Sequence, residues 1–358
     1  MAAIEFRADI KIASDTLAAI EAAVRLQALS ERPRLHLGAS QIGKPCSRAL
    51  WYAFRWASKA QFEPRLLRLF ARGQREEQVF ADLLRAAGVT VHLLDAATGR
   101  QFRFDAYGGH FAGSMDGAAL DIPEAPKTWH VLEFKTHNRK SFDELTQKGV
   151  QAAKPEHYSQ MQVYMRATGM QRALYCAVCK DDDRLHIERV DFDADHAELM
   201  FRRAEAIINA AEPPQRYSED PSYYLCKWCE FRDMCHGDDL PLPHCRSCAH
   251  ATPESTGGWS CARHDAQQIP LDFQKNGCDS HRYIPILLDR FAEIADASHA
   301  DNWVRYRLKS GQGEFVNGQP PAGLSSAEIH ACAHKDMLVD ETVQVLREQL
   351  SARITEHA

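Results

Sequence analysis

Apolar side chains recur every three or four positions in the first part of the chain, which is the spacing of one face of an α-helix. The pattern predicts a helix over residues 13–31 and a stronger one over residues 66–87 that ends at Gly88. A loop lies between them. A short helix is expected to begin at Ser47, with Cys46 at its N-terminal end.

The apolar period then changes to two, which is the spacing of one face of a β-strand. Five strands are predicted, at residues 101–107, 110–118, 130–136, 173–180 and 185–191. Helical patterns separate or follow them, at residues 141–151, 155–169 and 193–211. Strands that alternate with helices in this way predict an α/β fold with a mixed sheet flanked by helices.

The pattern changes again after the prolines at 213–214. Residues 215–283 are loop-rich and contain seven of the eleven cysteines, and residues 284–358 predict a short helix, a hairpin around 311–318 and a final helix over 325–354. We therefore expect four units: an N-terminal helical segment (1–39), a main domain (40–236), a cysteine-rich module (237–284) and a C-terminal α+β extension (285–358).

Composition is that of an ordinary globular protein. Of the 358 residues, 45% are apolar and 26% are charged, so a sizeable core is expected. The net charge of −6 argues against nucleic-acid binding through a uniformly basic surface. It leaves open a basic groove around acidic metal ligands.

No apolar stretch reaches the roughly 18–20 residues of a membrane-spanning helix. Residues 1–12 also lack the apolar segment of a signal peptide. We therefore expect a cytoplasmic protein without membrane contact. Because thiols stay reduced in the cytoplasm, the eleven cysteines indicate metal binding rather than disulfides.

Two carboxylates and a lysine are expected to meet at the end of the predicted strands. Glu133 and Lys135 lie two apart on one strand and so share a face, and Asp116 is near the end of the preceding strand. Oxygen ligands of this kind hold Mg²⁺ or Mn²⁺, and a lysine beside them can offset charge on a phosphate, as phosphodiester hydrolysis requires. A surface ion pair on an edge strand is the alternative, but the apolar neighbours of Glu133 argue against it. Gly113 and Gly117 leave room for a ligand to approach.

These residues resemble the D…ExK signature of the PD-(D/E)XK nuclease superfamily. Gln160 and Tyr164 are similar to the Q-x-x-x-Y motif of its RecB-like branch, and Gly73 to Glu77 is similar to the G-x-x-x-(E/H) motif of the first core helix. The resemblance covers residues 40–236 and implies a restriction-endonuclease-like fold. It implies Glu77 as a further metal ligand, with Glu76 as the alternative, and implies that Gln160 and Tyr164 orient the substrate or the lysine.

A first cysteine set has the spacing Cys226-x2-Cys229-x5-Cys235, with Cys46 as a candidate fourth ligand. The set resembles that of RecB-like iron–sulfur nucleases, including the CRISPR-adaptation exonucleases and the AddB-type nuclease domains. The resemblance implies a [4Fe–4S] cluster that ties the chain before the main domain to the chain after it. Zinc is the alternative, because spacing alone does not separate the two.

A second set, Cys245-x2-Cys248-x12-Cys261-x16-Cys278, predicts a zinc-ribbon-like Zn²⁺ site, with a second iron–sulfur cluster as the alternative. Histidines near this set could replace a cysteine: His244, His250, His264 and His281. Basic residues around it suggest docking of DNA or a partner: Arg246, Arg263, Lys275 and Arg282. The C-x2-C pair at Cys176 and Cys179 lies on a strand and is interpreted as core or surface strand residues, and Cys332 is interpreted as buried packing.

The resulting hypothesis is a Mg²⁺- or Mn²⁺-dependent DNA exonuclease, acting on DNA ends or single strands in recombination, repair or spacer acquisition. Expected partners are DNA, a recombination or CRISPR-adaptation protein, and a second copy of the chain; the resemblance implies a phage or prokaryotic origin. The alternatives are a non-catalytic DNA-binding scaffold and a redox or metal sensor, and RNA remains open as a substrate. Candidate DNA contacts are basic: Arg48, Arg55, Arg72, Arg75, Lys127, His137, Arg139 and Lys140. Trp51, Tyr52 and Trp56 are expected to pack in the core.

Overall fold

The computed structural model describes residues 14–30, 33–58 and 62–355. Its helices are α1 (Ser14–Ser30), α2 (Ser47–Phe54), α3 (Pro64–Ala86), α4 (Arg139–Ala153), α5 (Pro155–Thr168), α6 (Ala194–Asn209), α7 (Tyr224–Lys227), α8 (Arg232–His236), α9 (Leu271–Asn276), α10 (Ser326–Ala331) and α11 (Glu341–Leu350). None of these helices is long and apolar enough to cross a bilayer.

The strands are β1 (Leu37–Gly38), β2 (Thr90–His92), β3 (Arg103–Ala106), β4 (Phe111–Ser114), β5 (Gly117–Leu120), β6 (His130–His137), β7 (Arg172–Cys179), β8 (Leu185–Asp191), β9 (Ala251–Pro253), β10 (Trp259–Cys261), β11 (Ala292–Ser298), β12 (Trp303–Leu308) and β13 (Glu314–Asn317). The central sheet has the order β2-β5-β6-β7-β8, in which only β6 and β7 run parallel. The predicted α/β fold with a mixed sheet and flanking helices is confirmed.

The alternation along β6 divides the core between the two faces of this sheet. Leu132 and Phe134 face α3, where the Phe134 ring stacks on Phe80 with centroids 5.2 Å apart. Val131 belongs to the larger apolar cluster under α4 and α5. Because side chains alternate along a strand, Glu133 lies on this second face, within the apolar interior.

The predicted single strand over residues 110–118 is wrong. The chain leaves one sheet at Ser114 and enters another at Gly117, so β4 belongs to a three-stranded sheet (β1-β4-β3) and β5 to the central sheet. An unbroken apolar alternation does not mark such a change of sheet. As a result Met115 and Asp116 lie outside both ladders, and the Asp116 side chain is free to turn towards β6.

The helix predicted over 13–31 is present as α1, but its apolar face lies outside the core. Leu17, Ile20 and Leu26 are 51%, 48% and 70% exposed. The helix contacts α3 and is linked to that region by ion pairs, Arg25 with Glu63 at 3.5 Å and Arg68 with Glu21 at 3.9 Å.

The single final helix predicted over 325–354 is also wrong. Ser325 and Glu328 form a capping box that begins α10, which ends at Ala331, and a 3₁₀ turn follows over Lys335–Leu338. The Asp340 side chain then accepts a hydrogen bond from Val343 N and begins α11 as a new helix. The hairpin near residues 311–318 is confirmed as the β12–β13 turn, and a third strand, β11, joins it.

The cysteine-rich segment packs directly on α2. The β9–β10 hairpin places the buried Trp259 ring 5.4 Å from that of Phe54, and the Arg246 guanidinium lies 3.6 Å from the Trp56 ring centre. Arg55 donates to the Arg246 carbonyl at 3.1 Å. One apolar cluster therefore contains residues of the main domain, this segment and the C-terminal sheet.

Candidate active site

The structure brings Asp116, Glu133 and Lys135 together where the pairing of β5 with β6 ends, with Asp116 directly before β5 and the other two within β6. Lys135 Nζ donates to Glu133 Oε1 and to the Phe134 carbonyl, the latter at 3.3 Å. Asp116 Oδ2 accepts a hydrogen bond from Phe134 N at 2.7 Å, so the aspartate is tied to the strand between the other two residues. Glu133 has no exposed surface. The surface ion pair considered from the sequence is therefore wrong.

Helix α3 adds a third carboxyl group to this cluster. Burial, and then the charge of Asp116, raise the pKa of Glu77 to about 7, whereas Lys135 lowers it. The adjacent Glu76 turns the other way and pairs with Arg72 at 3.9 Å, one helical turn earlier. Glu77 rather than Glu76 therefore faces the site.

Burial governs the charges at this site. It raises the pKa of Asp116 and the pKa of Glu133, while the neighbouring Lys135 opposes both shifts. Burial would lower the pKa of Lys135, but Glu133 and Asp116 outweigh it, so this pKa lies above its ordinary value. The site therefore collects acidic groups for which a bound cation would be a favourable neighbour.

Gln160 and Tyr164 lie on α5, and Tyr164 contacts the strand that leads to Asp116. Tyr164 donates from its hydroxyl to the Ser114 carbonyl at 2.7 Å, and Gln160 Nε2 donates to the same hydroxyl at 3.3 Å. A Cβ at Gly113 would lie 2.9 Å from the Tyr164 hydroxyl, and one at Gly117 would lie 2.7 Å from a neighbouring carbonyl. The space at these glycines is thus filled by the protein itself, and the expected room for a ligand is absent there.

The first cysteine set surrounds one cleft. Cys46 stands at the N-terminus of α2, Cys226 lies in α7, Cys235 lies in α8, and Cys229 is between the two helices. Aromatic and apolar groups such as Tyr52 and Phe231 line it as well, together with Arg48, Arg232 and His236. Residues that are far apart in sequence therefore meet here as four free thiols.

The second set surrounds another cleft, with Cys245, Cys248, Cys261 and Cys278 in its lining. Three of the nearby histidines, His250, His264 and His281, also line this cleft, and His264 Nε2 lies 3.6 Å from Cys278 Sγ. Within the described ranges, no three His, Cys, Asp or Glu side chains converge tightly enough to hold one metal ion, at the carboxylates or at either cysteine set.

Several basic residues proposed as DNA contacts are structural instead. Arg48 and Arg55 are 7% and 4% exposed and donate to main-chain carbonyls, and His137 is 6% exposed. In the cysteine-rich segment, Arg246 and Arg282 are 3% and 2% exposed. These five are therefore unavailable for docking. Trp51 and Tyr52 are buried, as expected for core residues, whereas Trp56 is only half-buried. Cys332 is buried as expected, and Cys176 and Cys179 are buried rather than at the surface.

Sequence reasoning missed a polar chain beside the site. His137 and His157 both hydrogen-bond to the Tyr175 hydroxyl, each at 2.8 Å. Tyr175 stands opposite Glu133 in the β6–β7 register. The available signal was the position of His157 one turn before Gln160 on α5.

Comparison with known proteins gives a family match. Three solved structures are similar at low identity. SSO0001 is 15% identical over 62% of this chain and 96% of its own, with a TM-score of 0.40, and LHK-Exo in complex with dAMP is 18% identical over 53% of this chain and 90% of its own, with a TM-score of 0.37. A phage-related exonuclease from Haemophilus somnus 129PT is 14% identical over 51% of this chain and 94% of its own, with a TM-score of 0.35. LHK-Exo is an alkaline exonuclease from Laribacter hongkongensis. No protein of curated function matches. The PD-(D/E)XK nuclease superfamily model matches residues 11–236, more than half of the chain, and the chain therefore belongs to that superfamily.

Proposed function

We propose that this protein is a Mg²⁺- or Mn²⁺-dependent DNA exonuclease that hydrolyses phosphodiester bonds. The proposal rests on one observation: Asp116, Glu133 and Lys135 lie together in the folded chain, and Glu77 faces them from α3. The exonuclease mode, acting on DNA ends or single strands, rests on the resemblance of the motifs to the RecB-like branch. On the same basis we propose that the enzyme acts in recombination, repair or spacer acquisition.

The carboxyl groups fit a hard divalent cation. Glu133 Oε2 is buried and has no hydrogen-bond partner among the described residues, which is a costly position for a carboxylate oxygen in the absence of a cation. Glu77, Asp116 and Glu133 would hold the ion through oxygen atoms, the ligand type that Mg²⁺ and Mn²⁺ prefer. A bound ion would supply Lewis-acid polarisation of the phosphate and of a water molecule.

The remaining residues position these groups. Lys135, anchored to Glu133 and the Phe134 carbonyl, presents an ammonium group that offsets charge on a phosphate. Tyr164 holds the Ser114 carbonyl and so fixes the chain two residues before Asp116. We assign Gln160 to orienting the Tyr164 hydroxyl.

We also propose a [4Fe–4S] cluster at Cys46, Cys226, Cys229 and Cys235. Four free thiols around one partly apolar cleft fit the thiolate ligands such a cluster needs. Arg203 contacts the chain at Cys46, donating to the Lys44 carbonyl at 2.6 Å, and so places a cation beside this part of the cleft. The cluster would link the chain before the main domain to the chain after it, which restricts the unfolded state.

For the second set we propose Zn²⁺. Arg55, Arg246 and Arg282 are buried around this segment and, within the described ranges, pair with carbonyl and amide groups rather than with carboxylates. Unpaired buried charge is unfavourable. Four thiolates around one Zn²⁺ carry a net charge of about −2, which would offset the guanidinium charges. The burial of these arginines thus favours a metal-thiolate site over four neutral thiols.

Metal content tests both cysteine proposals independently of nuclease activity. Protein purified without oxygen should absorb broadly near ~400 nm, as iron–sulfur thiolates do, and should contain four irons and one zinc. Cys229→Ser should remove the iron and the colour, Cys261→Ser should remove the zinc, and Cys332→Ala should retain both metals. Colourless protein with zinc at the first set would exclude the cluster there.

On the resemblance, we extend the proposal to a cytoplasmic enzyme of phage or prokaryotic origin. A recombination or CRISPR-adaptation protein, or a second copy of the chain, is a proposed partner. Size-exclusion chromatography with light scattering tests the oligomer.

The central experiment incubates end-labelled single- and double-stranded DNA, covalently closed circular DNA and RNA with the protein and Mn²⁺. The wild type should degrade linear DNA and leave the closed circle intact, while Glu133→Ala should be inactive. Glu198→Gln is the matched control, because this carboxylate lies on α6 in an exposed ion pair with Arg166. If the wild type binds DNA but leaves it whole with every divalent metal, the DNA-binding scaffold replaces the enzyme. Degradation of RNA alone would change the substrate class.

A further inference from the structure

A continuous polar chain runs from α4 to α5 through the interior beside the carboxylates. His137 Nδ1 contacts the Ser141 hydroxyl at 3.0 Å, and His137 Nε2 contacts the Tyr175 hydroxyl at 2.8 Å. The same hydroxyl contacts His157 Nδ1 at 2.8 Å. Three strong contacts therefore connect four side chains in series, and the Tyr175 hydroxyl must donate to one imidazole and accept from the other.

The middle of this polar chain passes beside the reacting groups. Tyr175 is paired with Glu133 in the β6–β7 register, and His137 lies two residues after Lys135. His157 is half-buried, and its Nε2 makes no hydrogen bond to the described residues. The polar atoms of Ser141, His137 and Tyr175 all hydrogen-bond within this series. His157 Nε2 is therefore the atom at its end that can still hydrogen-bond to a ligand.

Both imidazoles are neutral near pH 7. Burial, and then Lys135, lower the pKa of His157 to about 2. Burial, then Lys154 and Lys135, lower the pKa of His137 to about 4. A neutral imidazole has one donor and one acceptor nitrogen, so each contact in the chain has a definite direction.

Two directions satisfy every contact. In one, Ser141 donates to His137, His137 donates to Tyr175, Tyr175 donates to His157 Nδ1, and His157 Nε2 carries a proton. In the other, all of these donors and acceptors are exchanged and Nε2 carries a lone pair. A phosphodiester presents only acceptor oxygens, so a DNA backbone would select the first direction.

We propose that His157 is a further substrate-contacting residue, which donates a hydrogen bond from Nε2 to a non-bridging oxygen of the DNA phosphate. Tyr175, His137 and Ser141 are positioning residues that fix the tautomer and ring orientation of His157. The inference rests on the proposed nuclease function and extends it by naming an uncharged donor beside Lys135. Such a donor adds charge-assisted hydrogen bonding without adding another cation to the site.

The test uses the full chain and two variants of similar polarity. In His157→Gln, the amide nitrogen can reach the position of Nε2. In His157→Asn, the shorter amide can replace only the contact with Tyr175. We expect His157→Asn to lose about 10- to 100-fold in kcat/KM, the effect of removing one hydrogen bond to a charged group. His157→Gln should retain most of the activity, and Tyr175→Phe should fall between the two.

The measurements distinguish a failure of the proposed His157 contact from a failure of the proposed nuclease function. Cleavage of end-labelled DNA with Mn²⁺ is measured together with thermal melting, and DNA affinity is measured with Ca²⁺ in place of Mn²⁺. Equal cleavage and affinity in the wild type and His157→Asn would overturn the inference while leaving the nuclease intact. Parallel losses of activity and melting temperature in both variants would overturn it in favour of a structural role. A wild type that neither cuts nor binds DNA would overturn the proposed function, and this inference with it.

Discussion

Replacing Asp116 by Asn or by Ala should separate the chemistry of this side chain from its structural contact. The side chain accepts a hydrogen bond from the buried Phe134 N at 2.7 Å, and it also contributes negative charge beside Glu133 and Glu77. Asn retains an acceptor oxygen of similar reach and removes the charge. Ala removes both.

The magnitudes follow from these two contributions. In Asp116→Ala the Phe134 N–H loses its partner inside the protein, which should lower the free energy of unfolding by about 1–3 kcal/mol. In Asp116→Asn the hydrogen bond is conserved. Since burial raises the pKa of Asp116, its charge is unfavourable in the metal-free fold, and the Asn variant should be at least as stable as the wild type at pH 8. Neither variant should cut DNA.

Urea denaturation without divalent metal, followed by cleavage of end-labelled DNA with Mn²⁺, measures both quantities on the same preparations. Asp116→Ala should unfold at a lower urea concentration than Asp116→Asn, with the same dependence of unfolding free energy on urea. The reasoning would be refuted if Asp116→Asn still cut DNA at the wild-type rate, or if Asp116→Ala were as stable as Asp116→Asn.

Three other substitutions test the surroundings. Glu77→Gln should reduce the pH dependence of the stability of the metal-free protein. The pKa of Glu77 is raised from 4.5 to about 7 in the folded state, so the folded protein binds this proton more tightly and loses stability as the pH rises from 4.5 to 7. Thermal melting from pH 4 to pH 8 would show whether the wild type loses more stability over this range than the variant. Tyr164→Phe removes the donor to the Ser114 carbonyl and should cost about 0.5–1.5 kcal/mol of stability while also lowering cleavage; full activity would exclude a positioning role. Arg347→Met leaves Glu328, 3% exposed, without its ion-pair partner at 3.2 Å and should cost about 3–5 kcal/mol; adding Glu328→Gln should recover part of that loss in denaturant melts.

Several elements could be predicted because their signals are local. The pattern over residues 66–87 repeats with the helical period for six turns, and α3 matches it within two residues at its start. The strand at 185–191 is present with the same bounds. Glu133 and Lys135 share a face because the strand period is two, whatever the rest of the chain does.

Other features depended on contacts between distant segments. The break between β4 and β5 follows from pairing with two different sheets, and no local period records which sheet a strand joins. The break in the predicted final helix was local and was missed, since Ser325 and Asp340 are both capping residues in the sequence.

The sequence by itself determined the α/β class, the shared face of Glu133 and Lys135, and the spacing of both cysteine sets. Only the tertiary structure decided that Glu77 rather than Glu76 turns to the site, and that Cys46 shares a cleft with three cysteines near residue 230. It also decided that His157 meets Tyr175 beside the carboxylates. The physical reason is that sequence periodicity reflects interactions between positions a few residues apart. The contacts of Glu77, Cys46 and His157 depend instead on which helix face packs against the sheet and on which distant segments the folded chain brings together.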